Sequence, residues 1–248
     1  MKYGTGRSEV EVNVATESAL FQAVEARFAQ GDGFALATLN LDHLTKLPVD
    51  DDFAQAYRAH DLVVADGRPV VWLSRLANQQ LELMPGSDLV IPLSRLAARM
   101  KMPVALVGSS DAALAGAKAA LEGLIPNLDI VLAHSPAYGF DPHGSDAANI
   151  CDMLNASGAR LCFIALGAPK QELFAAFAKD RCAATGFASI GAGLDFLSGD
   201  QVRAPKIMRA LALEWLWRAL QSPKRMIPRY AKCFAILPGL TLDAWRQR

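Results

Sequence analysis

The second half of this chain alternates short apolar segments with helix-like segments, and this alternation constrains the fold more than any other feature. Apolar segments at 104–107, 128–133, 161–166 and 187–190 are separated by segments at 111–124, 145–157 and 170–179 that have helical periodicity. Strands that alternate with helices pair in parallel through right-handed crossovers. The pattern therefore predicts an α/β fold, with a parallel sheet covered by helices on both faces.

The first hundred residues contain a less regular set of the same units. Apolar runs at 10–14, 33–39 and 62–65 are typical of strands, and segments at 15–30 and 50–60 have helical spacing. A further helix is expected to run to Met100, with Ser87 as its N-cap. We therefore predict two packed α/β units, residues 1–100 and 101–198, followed by an appendage of residues 199–248.

Charge is distributed unevenly along the chain. The formal net charge is zero, yet residues 201–248 hold 10 Lys and Arg against 2 acidic residues, and the remainder holds 15 against 23. Trp215, Trp217 and Trp245 also lie in this basic appendage, which predicts two short amphipathic helices with Arg218 and Arg225 two turns apart if Pro223 permits continuity. An anionic membrane surface is the favoured partner. Nucleic acid is not, because the rest of the chain is acidic and lacks an RNA-binding signature.

Several classes of protein are disfavoured by what the sequence lacks. It has no signal-like segment and no long uncharged apolar run, so we expect a protein that is neither exported nor transmembrane. Its four cysteines have no metal-binding or disulfide-scaffold spacing and are expected to be core thiols. The four histidines are scattered, and Asp50 to Asp52 are better explained by a helix start than by a metal. We predict no metal site and no cofactor.

Polar residues follow the predicted strands, where ligands bind in parallel sheets. Asp66 ends one strand, either as a turn residue or as a general base, and Thr38 and Asn40 end another. Gly108 begins a strand-to-helix turn that either holds a phosphate or is only a tight turn capped by Ser. Gly167 begins a second such turn, where Lys170 at the helix start favours a bound anion.

Seven of these segments, read together, resemble the WecG/TagA/CpsF family of bacterial glycosyltransferases. In chain order they are Thr38-x-Asn40-x-Asp42, Ala65-Asp66-Gly67, Pro85-Gly86-Ser87-Asp88, Pro136-x-Tyr138-Gly139-Phe140, Leu166-Gly167-x-Pro169-Lys170-Gln171-Glu172, Gly191-x-Gly193-x-Asp195-Phe196, and Arg203-Ala-Pro205-Lys206 with Leu213-Glu214-Trp215-Leu216-x-Arg218. They span nearly the whole chain.

The resemblance implies a fold of the GT-E type, with residues 1–100 as the catalytic half and 101–198 as a Rossmann-like nucleotide-binding half. It implies an inverting, metal-independent hexosyltransferase that moves a sugar, of the N-acetylmannosamine or uronate kind or a related hexose, from a UDP-sugar to a polyprenyl-diphosphate-linked sugar. Such an enzyme would make bacterial surface polysaccharide at the cytoplasmic face of the plasma membrane. The family is also oligomeric in solution.

The same resemblance assigns roles to individual residues. Asp66 takes the position of the catalytic base, and the remaining positions bind substrate. These are Thr38, Asn40, Gln171, Arg218, Arg225, Tyr138, Gly108 and Gly193. The chain departs from the family at Glu82-Leu83-Met84, where many members have Glu-Arg-Val, so a pocket arginine is missing. Either the donor or acceptor differs, or an arginine of the appendage substitutes.

Two rival functions stay open at this point. A nucleotide-sugar oxidoreductase or epimerase would use the same kind of sheet, but the dinucleotide fingerprint expected after its first strand is missing from this sequence. A nucleotide-binding adaptor on the membrane surface would need no catalytic base.

Overall fold

The computed structural model describes residues 1–201, 204–205, 208 and 213–248, except for the side chain of Arg218. The strands are β1 (Lys2–Tyr3), β2 (Val10–Glu11), β3 (Phe34–Leu39), β4 (Leu62–Ala65), β5 (Val104–Gly108), β6 (Ile130–His134), β7 (Leu161–Ala165) and β8 (Gly186–Ser189). The helices of the core are α1 (Glu17–Gln30), α2 (Leu41–Lys46), α3 (Asp51–Ala59), α4 (Arg68–Leu76), α5 (Gly86–Arg99), α6 (Asp111–Leu124), α7 (Ser145–Ser157), α8 (Lys170–Lys179) and α9 (Gly193–Ser198). Two further helices, α10 (Glu214–Gln221) and α11 (Pro223–Arg246), belong to the appendage.

One six-stranded parallel sheet, in the order β4-β3-β8-β7-β5-β6, organises the molecule, which confirms the predicted α/β class. Strands β1 and β2 form a separate antiparallel pair. The two halves of the chain meet where β3 pairs with β8, with Phe34 opposite Gly186. The two units that we predicted, residues 1–100 and 101–198, therefore share one continuous sheet and meet between β3 and β8.

Helices cover both faces of the sheet, because its strands are apolar on both sides. Within β3, Phe34 and Leu36 pack into one core with residues of α1, α5 and α6. On the opposite face, Ala35 packs with residues of α7 and α8, and Ala37 packs with residues of α3 and α4. This alternation follows from the two-residue period of a strand, and it explains why strands buried on both faces have nearly continuous apolar sequences.

Regular helical patterns were good guides to structure, and short signals were poorer. The helices predicted at 111–124, 145–157 and 170–179 have those bounds in the structure. The prediction that Ser87 caps α5 was wrong, because the N-cap is Pro85, two residues earlier, and α5 begins at Gly86 without a side-chain cap. A Cβ on Gly86 would lie 3.0 Å from Cα of Ile190, so close packing of the backbone selects the glycine there. The strand predicted at 10–14 is reduced to β2.

The appendage differs from the two short helices that we predicted. Its second helix, α11, is 24 residues long, and Ser222 separates it from α10, so Arg218 and Arg225 lie on different helices. Pro223 occupies the first turn of α11, where a residue without an N–H is tolerated, and thus begins a new helix instead of continuing α10. The side chain of Arg218 lies outside the described residues, as do Arg203 and Lys206 of the seventh motif.

One face of α11 packs against the core. Ile236, Leu240 and Ala244, which are four residues apart, contact the cluster formed by α2, α3, α4 and the N-terminal strands. This spacing places the three side chains on one stripe of the helix. Ile227 and Trp245 are more than half exposed. The appendage therefore combines a docked face with an apolar, exposed one.

All four cysteines are buried free thiols, as predicted. Among the residues that the structure describes, no helix is both long enough and apolar enough to cross a membrane.

Candidate active site

Asp66 and Asn40 lie side by side at the carboxyl edge of the sheet. Leu39, the last residue of β3, is paired with Ala65, the last residue of β4, so the next residues emerge together. The backbone N–H of Asp66 donates to the carbonyl oxygen of Leu39 at 2.7 Å. The Asn40 side chain then donates from Nδ2 to Oδ2 of Asp66 at 3.4 Å. Asp66 as a residue is partly exposed, at the edge of the sheet where ligands bind in parallel α/β folds.

Asn40 also caps helix α2, and this second role fixes the orientation of its amide. Its Oδ1 accepts a hydrogen bond from the backbone N–H of His43 at 3.1 Å. Because a cap residue must present an oxygen to that N–H, the amide nitrogen points the other way. The nitrogen faces Asp66 and also lies 3.4 Å from Nε2 of His43.

Buried rings stand behind this pair. Nδ1 of His43 lies 2.5 Å from the hydroxyl of Tyr57, and both rings pack edge-on against Phe53. Burial lowers the pKa of His43 to about 3, so the imidazole is neutral. Burial also raises the pKa of Tyr57, and the nearby charges of Glu172 and Asp66 raise it further. The phenol therefore keeps its proton.

Thr38 and Gln171 connect strand ends beneath this edge. Each is at most 3% exposed. The Thr38 hydroxyl donates to the carbonyl of Ser189 at 3.4 Å. Gln171 accepts from the backbone N–H of Gly191 at 3.1 Å and donates to Glu172 at 2.8 Å. In this structure the side chains of both predicted pocket residues are buried and hydrogen-bond to protein groups below the site.

Glu172 is a fully buried carboxyl group next to this network. Burial raises its pKa to about 7, although the hydrogen bond from Gln171 opposes the shift. Its Oε2 has no hydrogen-bond partner among the described residues. A carboxyl group in this setting is half protonated near neutral pH.

A second aspartate, Asp195, stands at the ends of β5 and β8. It accepts hydrogen bonds from the hydroxyl of Ser109 and, at 2.6 Å, from the side chain of Gln201. Gly108, the residue before Ser109, has φ +112°. A Cβ there would lie 2.5 Å from the carbonyl oxygen of Ala165, so only glycine fits. The turn thus brings a carboxylate, rather than a cation, to this corner. A carboxylate favours hydroxyl donors over a phosphate.

The lysine of the turn after β7 is engaged in a hydrogen bond within the protein. Lys170, at the start of α8, donates to the carbonyl oxygen of Phe140 at 2.8 Å, which ties the loop after β6 to this helix. Tyr138 in that loop is fully exposed. β6 and β4 are the two outer strands, five strand spacings or about 24 Å apart. Tyr138 therefore follows the strand farthest from Asp66.

Gly193 begins α9 in a crowded position. A Cβ there would lie 3.0 Å from Cγ2 of Val90 and 3.2 Å from Cα of Ser87. Packing between α9 and α5 is sufficient to explain this glycine.

The appendage reaches the site through Arg229 rather than Arg225. Nε of Arg229 lies 2.8 Å from Oδ1 of Asp42, and Nζ of Lys46 lies 2.8 Å from Oδ2 of the same carboxylate. Burial alone would raise the pKa of Asp42, but the Lys46 hydrogen bond and the two positive charges lower it overall. Asp42 directly follows the first residue of α2, so α11 is fastened to the helix that Asn40 caps. Arg225 is exposed.

Two clefts lie near these residues. One, of about 590 Å³, is lined by Arg68, Trp72, Arg75, Glu82 and Leu83 and begins two residues after Asp66. Leu83, at the position of the missing family arginine, is 38% exposed there. The second, of about 510 Å³, is lined by Lys46, Val49, Asp50 to Asp52 and Pro169.

The acidic run at Asp50 has the helix-start role that the sequence indicated. Asp50 caps α3 by accepting from the N–H of Phe53 at 2.9 Å. Within the described part of the chain, no three His, Cys, Asp or Glu residues are grouped so as to hold a metal ion.

A model of the WecG/TagA/CpsF family of glycosyl transferases matches residues 8–248, nearly the whole chain. The chain belongs to this family. Membership identifies it as a glycosyltransferase of cell-surface polysaccharide synthesis, as the seven motifs indicated.

The sequence alone assigned no site role to four residues of this candidate site. His43 was grouped with the other histidines, and Tyr57 was not considered, because nothing in a single sequence brings α2 and α3 together. Arg229 was read only as part of a basic run. Asp195 stood in a quoted motif without a role, although its position just after a strand could have made it a candidate.

Proposed function

We propose that this glycosyltransferase moves a sugar from a UDP-sugar to a polyprenyl-diphosphate-linked sugar, with inversion and without a metal ion. The observation that carries the proposal is the carboxylate of Asp66, a partly exposed residue at the strand edge, fixed by Asn40. A single displacement at the anomeric carbon needs a base within hydrogen-bond reach of the attacking hydroxyl. Asp66 would accept that proton as the acceptor oxygen bonds to the sugar and the bond to UDP breaks.

The UDP portion would bind across the ends of β5, β7 and β8. Asp195 is suited to accept hydrogen bonds from ribose hydroxyls, because a carboxylate accepts and does not donate. The ribose would lie beside the turn at Gly108, and the diphosphate at the turn at Gly167, where α8 begins, and near arginines of the appendage. Neutralising this leaving group lowers the barrier, since its negative charge grows as the sugar departs.

The lipid-linked acceptor would approach from the inner face of the membrane, along the exposed face of α11. Ile227 and Trp245 supply exposed apolar groups, and Lys224 and Arg225 supply exposed charge. Each interfacial cation contributes about 1 kcal/mol with anionic lipid. Replacing both cations with Gln should therefore weaken sedimentation with anionic vesicles roughly 30-fold. A matched pair on α5 and the turn after it, Arg99→Gln with Lys101→Gln, should have little effect; equal losses would place the membrane contact elsewhere.

The decisive test is product formation from a panel of UDP-sugars with a polyprenyl-diphosphate-linked sugar, in the presence and absence of a chelator. We expect one donor to be used, inverted product, and a rate unaffected by the chelator. Failure of all donors with UDP still bound would favour a nucleotide-binding adaptor. Loss of activity on chelation would remove the metal-independent mechanism. Oligomeric state, which we propose to exceed the monomer in solution, is measured separately by light scattering.

A further inference from the structure

We infer that His43 and Tyr57 are positioning residues for Asp66: they hold the Asn40 amide so that its N–H stays directed at the carboxylate. The inference rests on the proposed role of Asp66. In this proposal neither His43 nor Tyr57 acts on the carboxylate directly. Both act through Asn40, whose nitrogen lies 3.4 Å from Asp66 and 3.4 Å from the His43 ring.

The contacts fix the direction of every hydrogen bond in this chain. Asn40 Oδ1 is occupied by the His43 backbone N–H, so its nitrogen supplies one proton to Asp66 and one to Nε2 of His43. Nε2 must then be an unprotonated acceptor. A neutral imidazole with a bare Nε2 carries its proton on Nδ1. That N–H donates to the Tyr57 hydroxyl, which in turn donates to the carbonyl oxygen of Thr38 at 3.5 Å.

The surroundings of His43 support a neutral ring. Burial lowers its pKa first of all, and the positive charges of Lys46 and Arg229 lower it further, against the opposing effect of Asp42. Lys46 and Asp42 belong to its own helix, and Arg229 comes from α11, the helix docked on it. The ring therefore works as a fixed donor and acceptor rather than as a proton carrier.

The hydrogen-bond chain from Asn40 through His43 to Tyr57 also gives a role to polar groups whose burial packing alone does not require. His43 is 3% exposed and Tyr57 is 2% exposed; they pack against the apolar Phe53 and beside other buried polar residues. A fully satisfied buried network specifies one side-chain arrangement. The arrangement specified here ends at the carboxylate that we propose as the base.

The kinetic test is Tyr57→Phe, which keeps the ring and removes the hydroxyl that fixes the tautomer. We expect kcat to fall about tenfold, part of the roughly 10²–10⁴-fold that a positioned base contributes, with KM for the UDP-sugar unchanged. The acid limb of the pH–rate profile should move to higher pH, because the carboxylate loses a donor that stabilises its charged form.

Tyr3→Phe is the matched control. The Tyr3 hydroxyl is also buried and also donates to a backbone carbonyl, that of Val70 at 2.7 Å. It is not part of the hydrogen-bond chain that runs from Asn40 through His43 to Tyr57. Both variants should lose similar thermal stability. Only Tyr57→Phe should change kcat and the pH profile, and equal kinetics in the two would overturn the inference.

A second readout does not depend on activity. Long-range ¹H–¹⁵N spectra of ¹⁵N-histidine-labelled protein report which ring nitrogen of His43 is protonated, with a His43→Gln variant to assign its signals. We expect the proton on Nδ1 from about pH 5 to about pH 8, where an ordinary histidine titrates. A proton on Nε2, or a charged ring in that range, would overturn the inference.

The catalytic role of Asp66 and the positioning role of His43 and Tyr57 are tested by different outcomes. If Asp66→Asn keeps full turnover, the proposed function is wrong, and the histidine spectrum still tests the hydrogen-bond chain. If Asp66→Asn is inactive while Tyr57→Phe has wild-type kcat and pH profile, only the positioning role is wrong.

Discussion

Two aspartates stand at the same edge of the sheet and are held in different ways. Asp66 follows an outer strand and is approached by Asn40, which buried His43 and Tyr57 support. Asp195 is held by Ser109, which is partly exposed, and by Gln201, which is exposed. A group that must meet a reacting atom needs a fixed direction, whereas a group that binds hydroxyls can adjust. We therefore assign chemistry to the Asp66 corner and nucleotide binding to the Asp195 corner.

The largest expected effect comes from Asp66→Asn. We expect transfer to fall by about 10²–10⁴-fold, because the amide cannot accept the proton, while UDP affinity and melting temperature change little. Initial rates and calorimetric titration with UDP measure the two quantities. Asp32→Asn, an exposed aspartate before the opposite end of β3, is the control. A turnover near wild type in the Asp66 variant would contradict the assignment of chemistry to Asp66 and of nucleotide binding to Asp195.

Glu172→Gln tests the buried charge behind the Asp66 corner. The folded-state pKa of about 7 lies above the ordinary value of 4.5. The stability that this group contributes is therefore fully present below about pH 4.5 and is lost as the pH rises through about 7.

The glutamine keeps the hydrogen bond from Gln171 and never ionises. We expect the variant to be more stable than the parent at pH 8 by a few kcal/mol at most, since one pKa unit corresponds to about 1.4 kcal/mol, and no more stable at pH 4. Calorimetric unfolding at both pH values measures the difference. A variant that is less stable at pH 8 would show that the charged form is satisfied.

Asp195→Asn should have the reverse pattern to Asp66→Asn. We expect UDP affinity to fall about tenfold, the loss of one charge-assisted hydrogen bond, with kcat at saturating donor nearly unchanged. Affinity for 2′-deoxy-UDP and 3′-deoxy-UDP, measured in the same titration, identifies the hydroxyl: its removal should weaken binding to the parent but not to the variant. Loss of kcat without loss of affinity would place Asp195 in the chemistry.

The smallest effect concerns the ion pair between Asp42 and Arg229, which fastens α11 beneath the Asp66 corner. The two side chains are 10% and 39% exposed. We expect a coupling energy of about 1 kcal/mol from a double-mutant cycle with Asp42→Asn and Arg229→Gln in urea unfolding. The exposed Lys232→Gln, paired with Asp42→Asn, should show none. A zero value for Arg229 would mean that α11 docks through apolar contacts alone.

The sequence was informative where one local pattern decides the structure. α6, α7 and α8 each have an uninterrupted helical period, and their bounds were predicted to the residue. Ser87 is not the cap of α5, which begins at Gly86, where a Cβ would crowd Ile190, a residue remote in sequence. The predicted continuity between Arg218 and Arg225 was conditional on Pro223, which instead begins a new helix. The crowding at Gly86 is a tertiary contact, which a local pattern does not encode.

The site shows the same limit. Asp66 and Asn40 could be placed at one edge because parallel strands end together. Their support could not be placed, because His43, Tyr57 and Arg229 come from three helices whose contacts no local pattern encodes. Thr38 and Gln171 were found by position at strand ends; their burial was not, because it depends on packing between elements remote in sequence.

The central claim, that the Asp66 carboxylate takes the acceptor proton, is tested most directly by chemical rescue. Asp66→Ala removes the carboxylate and leaves space beside Asn40 that formate can fill. We predict that the transfer rate of this variant is very low and rises with added formate, whereas formate does not change the rate of Asp195→Ala. Full turnover by Asp66→Ala without formate would contradict the account.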